Sequence, residues 1–174
     1  SLAGYKPGYH RSVRLHGDII PDDVLIKGEF WIEEGNRLTM SVHHLNEDTA
    51  SLYIDKINQF QPEYIHAYPS ALSLLASYIE LMSLRLRTKV KTLFTDSETT
   101  YPWQKELFIR VFNADIFNIY GHTEGAVMGV TFPGSSFLNI LPQVGYMELI
   151  DTSLNPIINS ESIWSCIKST WVSN

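Results

Sequence analysis

The sequence predicts an α/β fold: a mostly parallel sheet with covering helices, plus additional antiparallel strands near both ends. Three observations carry this. The hydrophobic period changes from about two to about 3.6 residues after Asn46. From there helical and extended segments alternate as α-β-α-β-α-β, an order that closes through right-handed parallel crossovers. Proline stands where strands give way to helices, at Pro69 and Pro102.

Residues 13–20 and 24–32 are rich in Val, Ile, Leu and Phe and read as strands separated by the turn signal Pro21-Asp22-Asp23. Gly35-Asn36 turns the chain into a further strand at 38–42, so the beginning reads as antiparallel. Asn46 is a good N-cap, and Glu47 and Asp48 lie where a helix dipole favours anions. Ala50, Tyr53, Ile54, Ile57 and Phe60 then share one helical face up to the stop at Pro62. A strand at 64–68 runs into Pro69-Ser70 and a second amphipathic helix carrying Leu72, Leu75, Ala76, Ile79 and Met82. A strand at 89–95 precedes Thr99-Thr100-Tyr101-Pro102, which opens a third helix with Trp103, Leu107, Phe108 and Val111, and 116–120 is the next strand. Both faces of this sheet are expected to be covered. Beyond Gly121 the pattern loosens around Gly125, Gly129, Pro133-Gly134-Ser135-Ser136 and Pro142, with strands expected at 146–150 and 163–167.

The chain has 174 residues, enough for one domain or a piece of a larger one. With 44% hydrophobic and 18% charged residues, disorder is excluded as the dominant state. The net charge of −6, with Lys and Arg scattered, excludes a duplex nucleic-acid surface, which needs clustered positive charge. A single cysteine, Cys166, leaves no disulfide framework and too few thiols for a cysteine-based zinc site, so a reducing cytoplasm fits best. No run of about 18 apolar residues could span a bilayer, and Ser1-Leu2-Ala3-Gly4 lacks the basic-then-apolar order of a signal peptide.

Ligands of open parallel sheets bind beyond the carboxyl ends of the strands, where loops are free and helix N-termini point their N–H groups. Three segments occupy that position: His66-Ala67-Tyr68-Pro69-Ser70, Thr95-Asp96-Ser97-Glu98-Thr99-Thr100 and Tyr120-Gly121-His122-Thr123-Glu124-Gly125. In the third, a tyrosine can stack on a planar base, a glycine admits close backbone approach, a threonine can donate to a phosphate oxygen and a carboxylate is a hard ligand for Mg²⁺. That set suits a nucleotide. The same residues also suit a plain strand-to-loop turn, with Gly121 there for sterics and Thr123 and Glu124 capping the next element.

Tyr120-Gly121-His122-Thr123-Glu124 resembles the Tyr-Gly-x-Thr-Glu signature of the adenylate-forming superfamily of acyl-CoA synthetases, luciferases and peptide-synthetase adenylation domains. With Tyr68-Pro69-Ser70-Ala71-Leu72 before a helix and a strand ending in Ser97-Glu98, residues 63–128 are similar to the phenylacetate–CoA ligase branch. Within that branch they look like the bacterial CapK-like proteins of capsular polysaccharide biosynthesis. The resemblance implies that Tyr120 stacks on adenine beside Gly121, that Thr123 bonds the α-phosphate and that Glu124 holds Mg²⁺. It implies that Ser97 and Glu98 lie against the adenine, and that Tyr68, Pro69 and Ser70 line the acyl side. His122 fills the variable position of the signature, facing either the carboxylate substrate or solvent. ATP or AMP, Mg²⁺, a small carboxylate and an acceptor such as CoA are the implied ligands.

The departures define what part of such an enzyme this is. Residues 1–62 contain nothing like the Ser/Thr/Gly-rich pyrophosphate loop of the superfamily, and the ribose-binding Asp and the C-terminal catalytic Lys would follow Asn174. Residues 1–174 are therefore expected to be an internal part of the large N-terminal domain, inactive alone, with apolar faces that favour self-association. The expected function of the parent is ATP-dependent carboxylate activation through an acyl-adenylate. The alternative is a non-catalytic nucleotide-binding or assembly module of the same fold.

Other constellations carry less. Ser97 follows a strand as a nucleophile elbow would, but the flanking glycines that an elbow requires are replaced by Thr95 and Thr99. His43-His44 in a strand would point to opposite faces, so with His66 and His122 they read as surface or loop residues, and no structural zinc is expected. Trp31, Trp103, Trp164 and Trp171 read as core or interface rather than as a sugar platform, and the charges at 85–89 as a solvated helix end.

Overall fold

A computed structural model describes residues 2–121 and 124–145, together with Asp151 and Pro156. The strands expected at 146–150 and 163–167, and Cys166, Trp164 and Trp171, lie outside the described residues. Among the described residues one mixed sheet is built from β1 (Ser12–His16), β2 (Trp31–Glu34), β3 (Arg37–Ser41), β4 (Tyr64–Ala67), β5 (Thr92–Asp96), β6 (Asp115–Gly121), β7 (Met128–Thr131) and β8 (Leu138–Ile140). The strand order is β2-β3-β1-β4-β5-β6-β7-β8. The centre, β3-β1-β4-β5-β6, is parallel, whereas β2 joins β3, β7 joins β6 and β8 joins β7 antiparallel. The mostly parallel sheet with antiparallel additions at both ends is thus the observed architecture.

Among the described residues four α-helices accompany it: α1 (Asp22–Leu25), α2 (Ala50–Phe60), α3 (Pro69–Leu81) and α4 (Pro102–Phe112). Asn46 starts the turn ahead of α2 by accepting from the Asp48 and Thr49 amides at 3.0 and 3.2 Å. Gln61, left-handed at φ 52°, ends α2 just before Pro62. Pro69 and Pro102 occupy first-turn positions of α3 and α4, where a missing N–H costs no helical bond. Asn113 closes α4 in the left-handed region at φ 49°, which asparagine tolerates well.

Two expectations are corrected. Residues 24–32 are not one strand: Pro21 leads into the single turn of α1, whose first residues Asp22 and Asp23 suit the positive end of a helix, and only residues from Trp31 are extended. The first strands are also not simply antiparallel, because β1 lies parallel to β3 and only β2–β3 is a hairpin across Gly35-Asn36.

The third difference concerns the covering of the sheet. From β3 the chain crosses β1 to reach β4, then steps to β5 and β6 in the same direction, so right-handed crossovers put α2, α3 and α4 on one face. That face holds the main core, with Val13, Leu15, Leu38, Met40, Ile65, Ala67 and Leu93 packed against Tyr53, Ile57, Leu72, Leu75 and Phe108. The opposite face has a much smaller cluster of Tyr64, Phe94, Phe117 and Val130, joined by Leu2, Ala3 and Tyr5 from the N-terminal segment. Helical cover is therefore one-sided among the described residues.

Buried polar groups tie the helical layer to strand ends. The Tyr53 hydroxyl is buried and donates to the Ser41 carbonyl at 2.6 Å, and burial pushes its pKa well above the usual phenol range. Tyr53→Phe is expected to lower stability by about 1–3 kcal/mol in urea titration, because it leaves a buried carbonyl without its donor. Gln104 similarly links α4 to α3: its amide donates to Ser73 Oγ at 2.9 Å while its oxygen accepts from the Tyr101 amide at 2.8 Å.

Candidate functional site

The carboxyl ends of β4, β5 and β6 bring the three polar segments to one edge of the sheet. Within it, Ser97, Glu98, Thr99, Asn118, Tyr120 and Gly121 line a recess of about 180 Å³. Four residues assigned to a nucleotide by resemblance, Ser97, Glu98, Tyr120 and Gly121, therefore share one cavity wall. Tyr120 is 38% exposed, so its ring is available at the surface rather than locked in the core. Glu124 lies in an exposed turn beyond β6, and His122 and Thr123 lie outside the described residues.

Glu98 also performs a local task. Its carboxylate accepts from the Ser70 amide at 2.8 Å and the Ser70 hydroxyl at 2.7 Å, at the N-terminal turn of α3. A carboxylate there satisfies an otherwise unpaired helical N–H and complements the dipole. The β5–α4 loop is thereby pinned to the β4–α3 loop, which joins an assigned nucleotide residue to an assigned acyl residue. Glu98→Ala is expected to cost about 0.5–2 kcal/mol in thermal melts and to speed amide exchange at Ser70; unchanged exchange there would refute this pinning. Pro69 is buried at the start of α3, and Tyr68 is half-buried with its ring centre 4.3 Å from that of His16.

Ser97 is left-handed at φ 64°, a strained state for a residue with a Cβ, and its hydroxyl donates to Asp96 Oδ1 at 3.0 Å. The strain fits an elbow, but the hydroxyl donates to a carboxylate and not to the imidazole of a serine triad. Thr100 fastens the loop from beneath: its hydroxyl meets that of buried Thr95 at 3.0 Å and accepts from the Asn118 side chain.

Sequence reasoning missed a second cluster on the same edge. His16 ends β1, His66 lies in β4 and Asp96 ends β5, all on the face away from the helices. His66 Nε2 lies 2.5 Å from Asp96 Oδ2, and His16 Nε2 lies 3.3 Å from Asp96 Oδ1. The His16 approach lacks hydrogen-bond alignment, so both of its buried ring nitrogens are without a hydrogen-bond partner. Burial raises the Asp96 pKa, but the neighbouring His16 and His66 rings outweigh it and hold the carboxyl well below its usual range. The detectable signal was periodicity: His16 ends β1, Asp96 ends β5 and His66 lies in β4, and alternation along each strand puts all three on the face opposite Leu15, Ala67 and Thr95. His43 and His44 depart from the strand reading: they lie in a short 3₁₀ turn at Val42–His44, where His44 Nδ1 is 3.1 Å from Ser41 Oγ. A cavity of about 760 Å³ lies elsewhere, between α4 and the turn at Phe132–Ser136.

No family model matches the sequence. It is 30% identical over 91 residues to Protein CapK of Staphylococcus aureus, covering 52% of this chain and 20% of that protein. In structure it is similar to VinN, with a TM-score of 0.54 and 15% identity over 88% of this chain and 38% of that one. It is also similar to the Brucella canis acyl-CoA synthetase, with a TM-score of 0.52 and 18% identity over 72% of this chain and 23% of that one. The anthranilate CoA ligase AuaEII, whose structure holds anthranoyl-AMP, gives a TM-score of 0.51 and 18% identity over 71% of this chain and 24% of its own. The fold is the one these three solved structures share. The fold implied by the resemblance read from Tyr120-Gly121-His122-Thr123-Glu124 is thus the one observed among the described residues. The chain spans only about a fifth of CapK and from about a quarter to two fifths of these structures. Among the described residues no helix is long and apolar enough to cross a membrane.

Proposed function

We propose that residues 1–174 supply part of the nucleotide- and acyl-binding domain of an ATP-dependent ligase that activates a carboxylate as its acyl-adenylate. The observation that carries this reading is the meeting of the Ser97-Glu98-Thr99 loop with the end of β6 in one recess, on a fold shared with such ligases. Tyr120 would stack on adenine, Gly121 would leave room for backbone approach, and Thr123 would donate to the α-phosphate. His122 would stand beside it, toward substrate or solvent. Glu124 would hold Mg²⁺, whose charge offsets that of the phosphates.

In the intact protein a carboxylate oxygen attacks the α-phosphorus of ATP, pyrophosphate leaves, and the acyl group passes from AMP to CoA or another nucleophile. These residues act by position and by placing donors where negative charge gathers. Tyr68, Pro69 and Ser70 would border the acyl side, and the Glu98–Ser70 link would hold the two sides at a fixed separation. We expect these residues to be inactive alone, because residues 1–62 contain nothing that resembles the superfamily's pyrophosphate loop. A cytoplasmic setting suits the single cysteine, and the resemblance to CapK-like proteins supports a role in capsular polysaccharide synthesis.

Calorimetry with ATP·Mg²⁺ and AMP on the wild type and Glu124→Ala tests the site. Both nucleotides should bind the wild type, with ATP·Mg²⁺ losing more affinity than AMP in the variant; no binding of either would refute the assignment. Pyrophosphate release by the full-length protein across a carboxylate panel tests the activity and separates a ligase from a non-catalytic module. Exposed Ile19, Ile26, Leu81, Trp103 and Ile109 also motivate self-association. Sedimentation should show concentration-dependent assembly, and a strictly monomeric chain would count against it.

A further inference from the structure

We propose that His16, His66 and Asp96 bind a divalent transition-metal ion of the zinc type. From β1 the chain goes one way in the sheet, to β3, whereas from β4 it goes the other way, to β5, so the direction of winding reverses between β1 and β4. Such a switch point leaves a crevice at the carboxyl ends of the two strands, where open α/β sheets take ligands. His16 and His66 are on those two strands, and Asp96 ends the next.

The chemistry of the three groups is that of a metal site. One ligand atom from each residue lies within 4.8 Å of the others. Tetrahedral zinc with bonds of about 2.0–2.1 Å places its ligand atoms roughly 3.3 Å apart, and His16 Nε2 already stands 3.3 Å from Asp96 Oδ1. The His66–Asp96 pair is a hydrogen bond at 2.5 Å and would open by less than about 1 Å to admit the ion. Two imidazoles and one carboxylate match borderline zinc-type metals rather than Mg²⁺ or Ca²⁺, which prefer oxygen throughout.

His16 makes the case independent of mere proximity. Its side chain is 2% exposed and carries two nitrogens with no hydrogen-bond partner, although buried imidazoles are ordinarily satisfied. An ion between His16 and Asp96 supplies the missing partner for the nitrogen that faces the carboxylate. Ser97 donates to Asp96 Oδ1 and so orients the ligand from outside, as outer partners of metal carboxylates do. Arg14, on the same face of β1, does not oppose a cation with a free charge, since its guanidinium is paired with Asp18 at 2.9 Å. Three protein ligands leave a coordination position open beside His66, which also lines a cavity of about 240 Å³ with Arg14, Arg37, Tyr64 and Phe94. This site departs from the expectation of no zinc, which weighed cysteines and the His43-His44 pair. It stands whether or not the chain binds nucleotide.

The test is zinc calorimetry against a competing chelator on the tag-free chain, with cobalt as a spectroscopic probe. One zinc per chain is expected, with visible ligand-field absorption for bound cobalt. His66→Ala and Asp96→Asn should each weaken zinc binding at least about tenfold and reduce the cobalt absorption. Both residues are partly exposed, so these variants keep the fold if His16→Ala does not. No zinc binding, or binding unchanged in both variants, overturns the proposal.

Discussion

Phe108→Ala is expected to destabilise the protein by about 3–5 kcal/mol, measured as the loss of unfolding free energy in urea. Phe108 is fully buried in α4 and packs into the helix-side core that contains Leu72, Leu75 and Leu93. Removing the ring loses its transfer free energy and leaves a void walled by two helices and the sheet, which can only partly collapse. Against a typical domain stability of about 5–15 kcal/mol, that loss brings the chain near its folding threshold. Phe117 makes the informative comparison. It is also buried, at 8% exposure, but it lies on the face whose cover is the N-terminal segment and no long helix. Phe117→Ala should cost distinctly less, because solvent and mobile side chains can fill the space. Trp103, 57% exposed on α4, should change stability by no more than about 0.5 kcal/mol when truncated to alanine. Equal losses at positions 108 and 117 would show that both faces are packed alike and would refute the one-sided core.

The order of the central elements was legible because strong local signals coincided. Pro69 and Pro102 mark where strands end, Pro62 and Asn113 mark where helices end, and between them apolar residues recur at helical spacing. The short α1 was misread because Val24, Leu25 and Ile26 form an apolar run that fits either state. The stronger clue was electrostatic, in Asp22 and Asp23 at the positive end of a helix that Pro21 introduces. Strands β7 and β8 are four and three residues long, too short to carry a period, and Gly129 interrupts the pattern in the first of them. Coverage of the sheet was not a local property at all. It follows from strand order, and no single segment reveals that β3 crosses β1 to reach β4.

The candidate site divides in the same way. Ser97, Glu98, Tyr120 and Gly121 were recognisable because each stands where an apolar strand stops, and parallel neighbours place those stops side by side. The contact between Glu98 and Ser70 needed two loops in register, with β4 paired to β5 so that Ala67 lies opposite Thr95. The histidine–aspartate cluster required the registers of three strands at once. His66 drew notice with the wrong companions, since the neighbouring pair His43-His44 is conspicuous in sequence while His16 stands alone at the end of β1. Sequence adjacency was the misleading cue, and alternation along β1, β4 and β5 the useful one.

Tyr120→Ala is expected to weaken binding of both ATP and AMP by roughly 5- to 150-fold, which corresponds to about 1–3 kcal/mol for one stacked base. The size follows from what the ring does under the proposed reading: it offers a flat face to adenine, and alanine offers none. The fold should not suffer, because Tyr120 is 38% exposed at the end of β6 and its backbone pairing with Gly129 is retained by any residue with an N–H. A loss of affinity with unchanged urea stability therefore belongs to the ligand and not to the scaffold. Tyr120→Phe sharpens the inference, since it keeps the stacking face and removes only the hydroxyl, and it should retain most of the affinity. The two nucleotides separate this contact from the others. Tyr120 meets the base that ATP and AMP have in common, so its loss should weaken both by the same factor. Glu124 would act on the magnesium-bound phosphates, so its loss should weaken ATP·Mg²⁺ alone or nearly so. If Tyr120→Ala instead spares AMP while weakening ATP·Mg²⁺, the aromatic ring lies near the phosphates, and the adenine must be sought against another wall of the recess.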